Sequence, residues 1–559
     1  MGDKDMILGL DMGGTQTDTV VVERDRVIRA TKTPTGDDLL ETLRTAVDHT
    51  LGDLDPGAIT RLAFSTTMAT NAIVQDQLEP AGMIVSAGPG MDPAWFSVGP
   101  SYHIVDGCLD HQGYEVKPLD RAALVNAVSR IQEKQIRVLG LVGKFSVRNP
   151  LHELQMAEWV GDVFLHKALG HQVSGVLNFP RRITTTYLNA ALYPLQQRFS
   201  EALVGILNEK GLKAPRYLLK PDGGTVELGK SDALPARTAQ SGPAASVMGA
   251  LALDACNGTT LVLDIGGTTT DMAVILEGVP LFNPHGIRLG PYQTLIRSLL
   301  THSLGIGGDS EVRMGKNDQL KIGPLRKGRP MALGGPAPTP TDAMIALNLL
   351  DVGEREAAVG AMATLGAPLG MNGKAVAQTV LTTMAESIAE AVEAFLYEIN
   401  SQPVYTVHEV LEDTTIDPTS VLIMGGPAPQ IAPYVGDALE LPCRVPPHHD
   451  VANAVGAAVA RVTTSVTLQA DTQRGTVIIP EADLEQDVNH RFDLDQALIL
   501  GRQVLEEQAR RMGAEHETLE VAVTEKQLFN MIRQGRITGQ NIRLKMSIIP
   551  GLIPHWIRR

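Results

Sequence analysis

The chain has 559 residues, of which 43% are hydrophobic, 20% are charged and 4% are aromatic. This length allows several domain-sized units with separate cores. A formal net charge of -15 repels phosphate backbones, and the scarcity of aromatic side chains argues against a base-stacking surface. We therefore do not expect nucleic acid as a partner.

We do not expect an export signal at the N-terminus. Residues 1–5 are charged and lead into an apolar run that ends at Asp11, which is too short for a signal peptide. No segment approaches the roughly 18 uninterrupted apolar residues of a membrane span. Cys108, Cys256 and Cys443 lie far apart, which predicts reduced thiols rather than a disulfide framework. We therefore predict a cytoplasmic protein that does not span a membrane.

Apolar periodicity predicts alternating helices and strands along the chain. A long helical pattern over 184–207 is expected to connect two lobes, and Thr341 is the expected N-cap of a later helix. In chain order, the predicted helices are 37–51, 120–134, 151–166, 184–207, 242–255, 341–350, 373–400 and 451–462, and the predicted strands are 61–65, 81–86, 138–142, 218–221 and 421–424.

Two segments share one pattern. ILGLDMGGTQTDTVVV spans residues 7–22, and TLVLDIGGTTTDMAVI spans residues 260–275. In both, an apolar run leads into Asp-x-Gly-Gly-Thr-x-Thr-Asp and a second apolar run follows, which predicts a β-hairpin with a wide loop. The repeat predicts two related α/β lobes, at 1–183 and 184–466. A more charged composition predicts a separate C-terminal α/β segment at 467–559.

The repeated turns have the composition of a polyphosphate cradle. Glycines permit a tight bend and a close approach of backbone N–H groups to phosphate. Asp11 and Asp264, at the ends of the incoming strands, are suited to hold Mg²⁺ through waters and are the predicted catalytic and metal residues. Two ordinary glycine hairpins are the alternative, and the repetition counts against it. The predicted phosphate-binding residues are Gly13, Gly14, Thr15, Thr17, Gly266, Gly267, Thr268 and Thr269.

Two later glycine motifs are candidates for the rest of a nucleotide site. Gly425, Gly426 and Pro427 follow an apolar strand, where bare backbone would suit adenine and ribose, although a plain turn fits the same residues. Gly307 and Gly308 would either close over the terminal phosphate or form only a loop.

A hydroxyl-rich segment is the candidate substrate contact. Thr66, Thr67 and Asn71 belong to the sequence STTMATNA at 65–72. They would contact substrate or phosphate, and capping of a helix N-terminus is the alternative role.

These motifs resemble the two phosphate elements and the adenosine element of the actin, sugar kinase and heat-shock ATPase superfamily. More closely, the chain resembles the hydantoinase A/oxoprolinase family. The resemblance implies an α/β, two-lobed, actin-like ATPase (ribonuclease H-like) fold, duplicated, with a central nucleotide cleft. The blocks that carry it are GGTQTD at 13–18, STTMATNA at 65–72, RNPLHE at 148–153, TTYLNA at 185–190, SGPAA at 241–245 and PTDA at 340–343.

The resemblance implies an ATP-dependent enzyme that opens a cyclic amide, such as a hydantoin or 5-oxoproline. Amide resonance makes the ring carbonyl a poor electrophile, and phosphorylation of its oxygen gives an activated imidate that water attacks. Mg²⁺, or Mn²⁺ in its place, is the expected metal, and a B-type subunit is the expected partner. A homodimer stays open, as do two other functions: a subunit of an ATP-dependent ketone carboxylase, and a nucleotide-gated chaperone or reactivating factor.

One loop departs from the family pattern. Family members often carry a Thr-Lys-Gly-Phe-type loop after the strand at 81–86, whereas this chain reads SAGPGM at 86–91. The missing lysine bears on the substrate more than on the nucleotide.

Overall fold

The structure is a computed structural model, and it describes residues 5–36, 38–315, 319–401, 415–515, 517–534, 536–554 and 556. Residue 37, where the first predicted helix begins, lies outside these ranges. So do parts of the predicted C-terminal segment, including its last three residues.

The first part of the chain forms two sheets with helices around them. The strands are β1 (Met6–Met12), β2 (Gln16–Glu23), β3 (Arg26–Pro34), β4 (Ile59–Thr66), β5 (Ala81–Ser86), β6 (Ser101–Val105), β7 (Cys108–Leu109), β8 (Glu115–Lys117), β9 (Val138–Gly143), β10 (His166–Leu169), β11 (Arg216–Leu219) and β12 (Thr225–Glu227). The helices are α1 (Leu39–Leu51), α2 (Met68–Val74), α3 (Arg121–Glu133), α4 (Leu151–Val160), α5 (Gly170–Val173), α6 (Phe179–Glu209) and α7 (Leu228–Ser231).

The first sheet has the order β12-β11-β4-β1-β2-β3. β1, β2 and β3 form an antiparallel meander, while β4 runs parallel to β1 and β11 runs parallel to β4. β1 therefore lies inside the sheet, and the turn that follows it emerges at the carboxyl edge of the parallel strands.

A second sheet, β10-β9-β5-β6, is inserted between β4 and β11, and all of its strands are parallel. Its central strands, β5 and β9, are buried on both faces, as expected for a parallel sheet. Along β5, Met83 and Val85 pack in a cluster with α6, whereas Ile84 packs with Leu124 of α3 on the other face.

Helix α6 joins the two sheets of the first lobe. Ile183 and Leu188 pack against the inserted sheet, and Phe199 and Leu203 pack against the first sheet. Its first turns also contact the second lobe, where Thr185 Oγ1 accepts the N–H of Leu295 at 2.9 Å, so a connection between the lobes through this helix stays a prediction.

The second lobe repeats the design of the first. Its strands are β13 (Thr259–Ile265), β14 (Thr270–Leu276), β15 (Val279–Pro280), β16 (Arg288–Leu289), β17 (Tyr292–Gln293), β18 (Thr301–Leu304), β19 (Val312–Met314), β20 (Leu320–Ile322), β21 (Ser420–Met424) and β22 (Cys443–Arg444). Its helices are α8 (Ser241–Leu253), α9 (Pro340–Ala346), α10 (Arg355–Gly366), α11 (Gly373–Asn400), α12 (Ala428–Leu439) and α13 (Ala452–Val459).

The main sheet of this lobe has the order β15-β14-β13-β21-β22, with β18 also pairing with β14. β13 is antiparallel to β14 and parallel to β21, just as β1 is antiparallel to β2 and parallel to β4. The strand order and directions match those of the first sheet, so the fold is duplicated as predicted.

Two small-residue helices cross where the lobes meet. Helix α8 packs against the second sheet through Val247 and Met248, although it follows the first sheet in the chain. Helix α13 packs against the first sheet through Ala454 and Val455, although it follows the second. A Cβ placed on Gly456 of α13 would lie 2.2 Å from a carbonyl oxygen of α8, so the crossing requires glycine there. Helix α13 thus covers the first lobe although it is connected to the second.

Side-chain caps fix where several helices begin. Asp38, Asp120 and Asn372 accept backbone N–H groups at the starts of α1, α3 and α11. Helix α9 begins with a capping box between Thr339 and Asp342. The prediction that Thr341 is the N-cap is wrong, because Pro340 occupies the first helical position.

The C-terminal part is an antiparallel sheet, β25-β24-β23-β27-β26, with one helix packed on it. Val504 and Leu505 of the helix pack against Leu468 and Leu544 of the sheet. Its elements are β23 (Ser465–Asp471), β24 (Thr476–Ile479), β25 (Leu484–Asp487), α14 (Leu494–Arg511), β26 (Val521–Arg533) and β27 (Arg536–Ile548).

The sheets suggest other domain limits than the boundaries predicted at 183/184 and 466/467. The first boundary falls inside α6, and β11 and β12 complete the first sheet. The second falls inside β23. We therefore propose that the first lobe extends to about residue 227 and that the C-terminal domain begins at Ser465. In the described ranges, no helix combines the length and apolar character needed to cross a membrane.

Candidate nucleotide-binding site

The two repeated turns have the same construction. The N–H of Gly13 donates to the carbonyl of Gln16 at 3.1 Å, and the N–H of Gly266 donates to that of Thr269 at 2.9 Å. Strand register places Asp11 opposite Asp18 in the first hairpin and Asp264 opposite Asp271 in the second. Each turn is therefore closed by a backbone hydrogen bond, and a pair of aspartates lies on the strands next to it.

Both turns offer backbone donors. Among the hydrogen bonds of the described residues, the N–H groups of Gly14, Thr15, Gly267 and Thr268 have no acceptor. A Cβ built on Gly14 would have no atom within 4 Å, so this part of the first turn borders open space. Converging N–H groups beside open space form a concavity suited to an anion.

The turns line one cleft. Behind the second turn, the N–H of Asp309 donates to the carbonyl of Gly267 at 2.6 Å. The Arg326 guanidinium donates to Asp309 Oδ2 at 3.2 Å and lies 3.5 Å from Thr15 Oγ1 of the first turn. A single side chain therefore spans the gap between the two turns.

The loop that contains Gly307 and Gly308 packs directly on the second turn. A Cβ on Gly307 would lie 2.6 Å from the carbonyl oxygen of Gly266, so only glycine fits there. The hydroxyl of Thr341 donates to the carbonyl of Gly308 at 2.8 Å, and Pro427 lies 3.8 Å from a Cβ built on Gly308. This loop, the start of α9 and the late glycine pair thus meet on one side of the cleft.

The two glycines after β21, Gly425 and Gly426, have different roles. Gly425 has a φ of 95°, and a Cβ there would lie 2.1 Å from the carbonyl oxygen of Ile265 at the end of β13. Its N–H donates to the carbonyl of His449 at 2.9 Å. Gly426 is exposed, and a Cβ on it would have no atom within 4 Å. Gly425 therefore serves packing, while Gly426 offers open backbone.

Asp11 is a buried carboxylate with a raised pKa. Burial, and then the charges of Asp18 and Asp264, raise its pKa to about 7, although hydrogen bonds from Ser65 and Asn453 act in the opposite direction. The Asn453 amide lies 3.4 Å from Asp11 Oδ2 and comes from the lobe-crossing helix α13. Asp11 is thus contacted from both lobes.

The second hairpin has a matching arrangement. Ser246 of α8 donates to Asp264 Oδ2 at 2.6 Å. Burial, and then the charge of Asp264, raise the pKa of Asp271 to about 7, against a hydrogen bond from Ser303. No three His, Cys, Asp or Glu side chains are grouped as metal ligands in the part of the chain that the structure describes. A cation here would relieve the repulsion among the carboxylates and would take its other ligands from water or phosphate.

The four threonines predicted to bind phosphate differ in their exposure to solvent. Thr15 is exposed, and Thr268 and Thr269 are half-buried. Thr17 is fully buried, and its hydroxyl lies 3.0 Å from that of Thr35. The hydroxyl of Thr17 therefore supports the first turn from behind, whereas a contact with phosphate was expected.

The predicted substrate residues make hydrogen bonds within the protein. Thr66 Oγ1 accepts the N–H of Met68 at 3.2 Å, whereas Thr67, at the N-cap position of α2, makes no side-chain capping bond. The hydroxyl of Thr67 lies 3.3 Å from the carbonyl of Met12, beside the first turn, and the Asn71 amide lies 3.3 Å from that hydroxyl. Their contact with substrate stays a prediction.

Several site residues were missed from the sequence because their partners are distant in the chain. Asp309 and Thr341 lie inside motifs that were noticed, but Arg326, Ser246 and Asn453 had no local signal. Another missed side chain is Lys144, at the end of β9, whose ammonium donates to the carbonyls of Gly88 and Met91 at 3.2 and 2.5 Å. A neighbouring strand thus brings a lysine to the loop that lacks one.

Comparison with known families agrees with this construction. The model of the hydantoinase/oxoprolinase N-terminal region matches residues 7–164, and the hydantoinase/oxoprolinase model matches residues 182–466. The chain belongs to the hydantoinase/oxoprolinase family. The predicted family membership is therefore confirmed.

Two curated relatives of this chain are named as enzyme subunits. The caprolactamase subunit alpha of Pseudomonas jessenii is 25% identical over 461 residues, which are 75% of this chain and 64% of that subunit. The acetone carboxylase beta subunit of Xanthobacter autotrophicus is 26% identical over 368 residues, which are 57% of this chain and 50% of that subunit. The matches thus span less than two thirds of either relative.

Solved structures confirm the predicted two-lobed fold. The ATP-dependent caprolactamase of Pseudomonas jessenii has a TM-score of 0.71 at 19% identity, over 99% of this chain and 88% of that one. Nucleotide-free acetone carboxylase has a TM-score of 0.69 at 17% identity, over 98% and 87%.

Proposed function

We propose that the chain binds Mg-ATP between its two glycine turns and is the ATP-binding subunit of an enzyme that opens a cyclic amide. The observation that carries the proposal is the pair of matching turns, with unpaired N–H groups, that face one cleft and are spanned by Arg326. ATP, when bound, supplies the phosphoryl group that activates the ring carbonyl oxygen.

The residues of the cleft have separable roles in this proposal. The N–H groups of Gly14, Thr15, Gly267 and Thr268 hold the phosphates, and Gly426 leaves room for the nucleoside. Asp11 and Asp264 hold Mg²⁺, or Mn²⁺, because a cation would offset the buried charge of Asp11 and the neighbouring charges of Asp18 and Asp264. Helix α13, attached to the second lobe and packed on the first, and helix α8, which it crosses, are placed to couple ligand binding to lobe closure.

The likeness to the caprolactamase subunit alpha supports a ring amide as substrate and a second, B-type subunit as partner. We also propose a cytoplasmic location, which fits an enzyme that uses ATP and has widely spaced cysteines. The chain itself then contributes nucleotide binding and carbonyl activation.

A ketone carboxylase subunit is the second candidate, favoured by the likeness to acetone carboxylase in sequence and in fold. The two functions differ in what stimulates ATP turnover. With the partner subunit present, turnover that depends on a lactam and not on bicarbonate supports the amide hydrolase. Turnover that needs both a ketone and bicarbonate supports the carboxylase.

The first test is calorimetric titration of the purified chain with Mg-ATP. We expect one nucleotide per chain, weaker binding without the metal, and no binding of a neutral nucleoside at equal concentration. A flat titration with excess Mg-ATP would overturn the proposal.

The exchange Gly14→Ala tests the phosphate cradle directly. No atom lies within 4 Å of the added Cβ, so the melting temperature without nucleotide should stay close to that of the wild type. The methyl group keeps phosphate from the N–H groups, so the affinity for ATP should fall about 10-fold or more. Gly360→Ala, in α10 and also without close neighbours, is the matched control and should leave ATP affinity unchanged. Equal affinity in Gly14→Ala and the wild type would contradict the assigned cradle.

A further inference from the structure

A second group of charged residues lies in a small pocket that does not include the glycine turns. The pocket has a volume of ≈ 60 Å³ and is bordered by the first sheet, the second lobe and the C-terminal domain. Its cations are Lys220, Arg237, Arg297 and Lys545, and its carboxylates are Asp222 and Glu481.

Both carboxylates of the pocket have partners within the protein. Asp222 is paired with Lys220 at 3.2 Å and accepts the hydroxyl of Thr463 at 2.8 Å. Glu481 accepts the N–H of Gly175 at 2.7 Å and the N–H of Thr467 at 3.0 Å. The four cations of the pocket nevertheless outnumber its two carboxylates.

The other three cations lack a close carboxylate. In the described part of the chain, the ammonium of Lys545 has no hydrogen bond or ion pair. Arg237 donates to the backbone carbonyl of Val173 at 3.1 Å, and Arg297 is no closer than 3.9 Å to Asp222.

Burial lowers the pKa of both of these arginines and of Lys545, and the charge of Arg297 lowers that of Lys545 further. The pocket therefore has an excess of partly buried positive charge, which is costly unless an anion offsets it.

The pocket is close to the glycine turns but distinct from them. Lys220 directly follows β11, which runs parallel to β4, which in turn runs parallel to β1. Lys220 therefore emerges at the same edge of the sheet as Asp11, two strand positions away, or roughly 10 Å along the sheet. In open α/β sheets, ligands bind at this carboxyl edge.

We propose that this pocket binds one small oxyanion, with Lys545, Arg237 and Arg297 as its charged contacts. A volume of ≈ 60 Å³ admits a carboxylate or a phosphate but not a nucleotide. Two sources have this chemistry: a carboxylate carried by the ring substrate, and free inorganic phosphate. The first source rests on the proposed function, whereas the existence of an oxyanion site does not.

The test is calorimetric binding to the full chain of three probes: inorganic phosphate, a γ-lactam carrying a carboxylate, and the same lactam without it. We expect at least one of the anions to bind and the neutral lactam not to saturate the same site. Lys545→Met should weaken anion binding about 10-fold, since a buried charge-assisted contact is lost, and Lys545→Arg should restore most of it. Lys526→Met is the matched control, because it removes the same charge from an exposed position on the neighbouring strand β26.

The outcomes are separable. Binding of the carboxylated lactam alone assigns the site to substrate, and binding of phosphate alone assigns it to the free anion. Binding of neither anion overturns the proposal, as does an equal loss in Lys545→Met and Lys526→Met. Mg-ATP titration of the same variants keeps the two proposals apart, because a chain that binds the anion but not ATP refutes only the proposed function.

Discussion

Replacement of Asp11 by Asn is expected to stabilise the nucleotide-free protein and, at the same time, to remove most of its ATP turnover. The Asp11 side chain is buried beside Asp18 and Asp264, and its pKa is raised from 3.8 to about 7. Above that pH the folded protein must hold a buried, repelled charge, which an amide of the same shape does not carry.

The sign of this effect follows from proton linkage. The folded state holds a proton that the unfolded state has released, so the stabilising contribution is fully present below pH 3.8 and is lost as pH rises through about 7. At pH 8 the charged carboxylate should cost on the order of 2–4 kcal/mol, and the exchange should recover it. Denaturation curves of both proteins between pH 5 and pH 8, without metal or nucleotide, measure the difference. A variant that is less stable than the wild type at pH 8 would contradict the assignment.

The loss of turnover follows from the same charge. Asn cannot offer the negative charge that offsets Mg²⁺, so turnover should fall on the order of 10²-fold or more, with a smaller change in nucleotide affinity. Asp264→Asn should behave likewise, since its carboxylate occupies the equivalent place in the second hairpin. Asp48→Asn, on the exposed face of α1, is the control. Unchanged turnover in Asp264→Asn would remove the role assigned to that residue.

The hairpins could be predicted because their signals are local. In residues 7–22 and 260–275, the two apolar runs, the glycine pair and the flanking aspartates all lie within one hairpin, and the observed registers pair those aspartates. The strand Ser420–Met424 and the glycines after it were recognisable for the same reason.

The domain limits and the rest of the site depend on contacts between distant residues. β11 pairs with β4 in the first sheet although an entire inserted domain separates the two strands in the chain, and no pattern within Arg216–Leu219 indicates that pairing. Arg326 and Asn453 reach the cleft by the same long-range packing. Even inside the repeated turn, the hydrogen bond that buries the Thr17 hydroxyl comes from Thr35, which directly follows β3.

The second large effect concerns a buried ion cluster that connects the inserted domain to the C-terminal domain. Glu153 is fully buried, and its Oε2 lies 2.6 Å from His171 Nδ1, while Oε1 accepts the N–H of Gly143 at 2.7 Å. The other ring nitrogen of His171 lies 2.8 Å from Asp483 Oδ1, just before β25. One imidazole therefore bridges two carboxylates from different domains.

Burial alone would lower the pKa of His171, but its hydrogen bonds to Asp483 and Glu153 raise it from 6.5 to about 9. The stabilising contribution of the charged imidazole is therefore fully present below pH 6.5 and is lost as pH rises through about 9. The wild-type protein should accordingly lose stability between these two pH values.

Glu153→Gln should lower the free energy of unfolding by about 3–5 kcal/mol at pH 7, because it leaves His171 without its buried counter-charge. It should also flatten the dependence of stability on pH between 6.5 and 9. Denaturant midpoints across that range measure both effects. Glu506→Gln, which removes one partner of a surface pair with Arg502, is the control and should cost less than about 1 kcal/mol.

This outcome would also explain the motif RNPLHE at 148–153, which drew attention as a family block. Its last residue would then act by holding His171 and, through it, the C-terminal domain, with no part in the nucleotide cleft. If Glu153→Gln kept the stability of the wild type but lost turnover, that interpretation would fail, and the cluster would have to be reconsidered as part of the catalytic machinery.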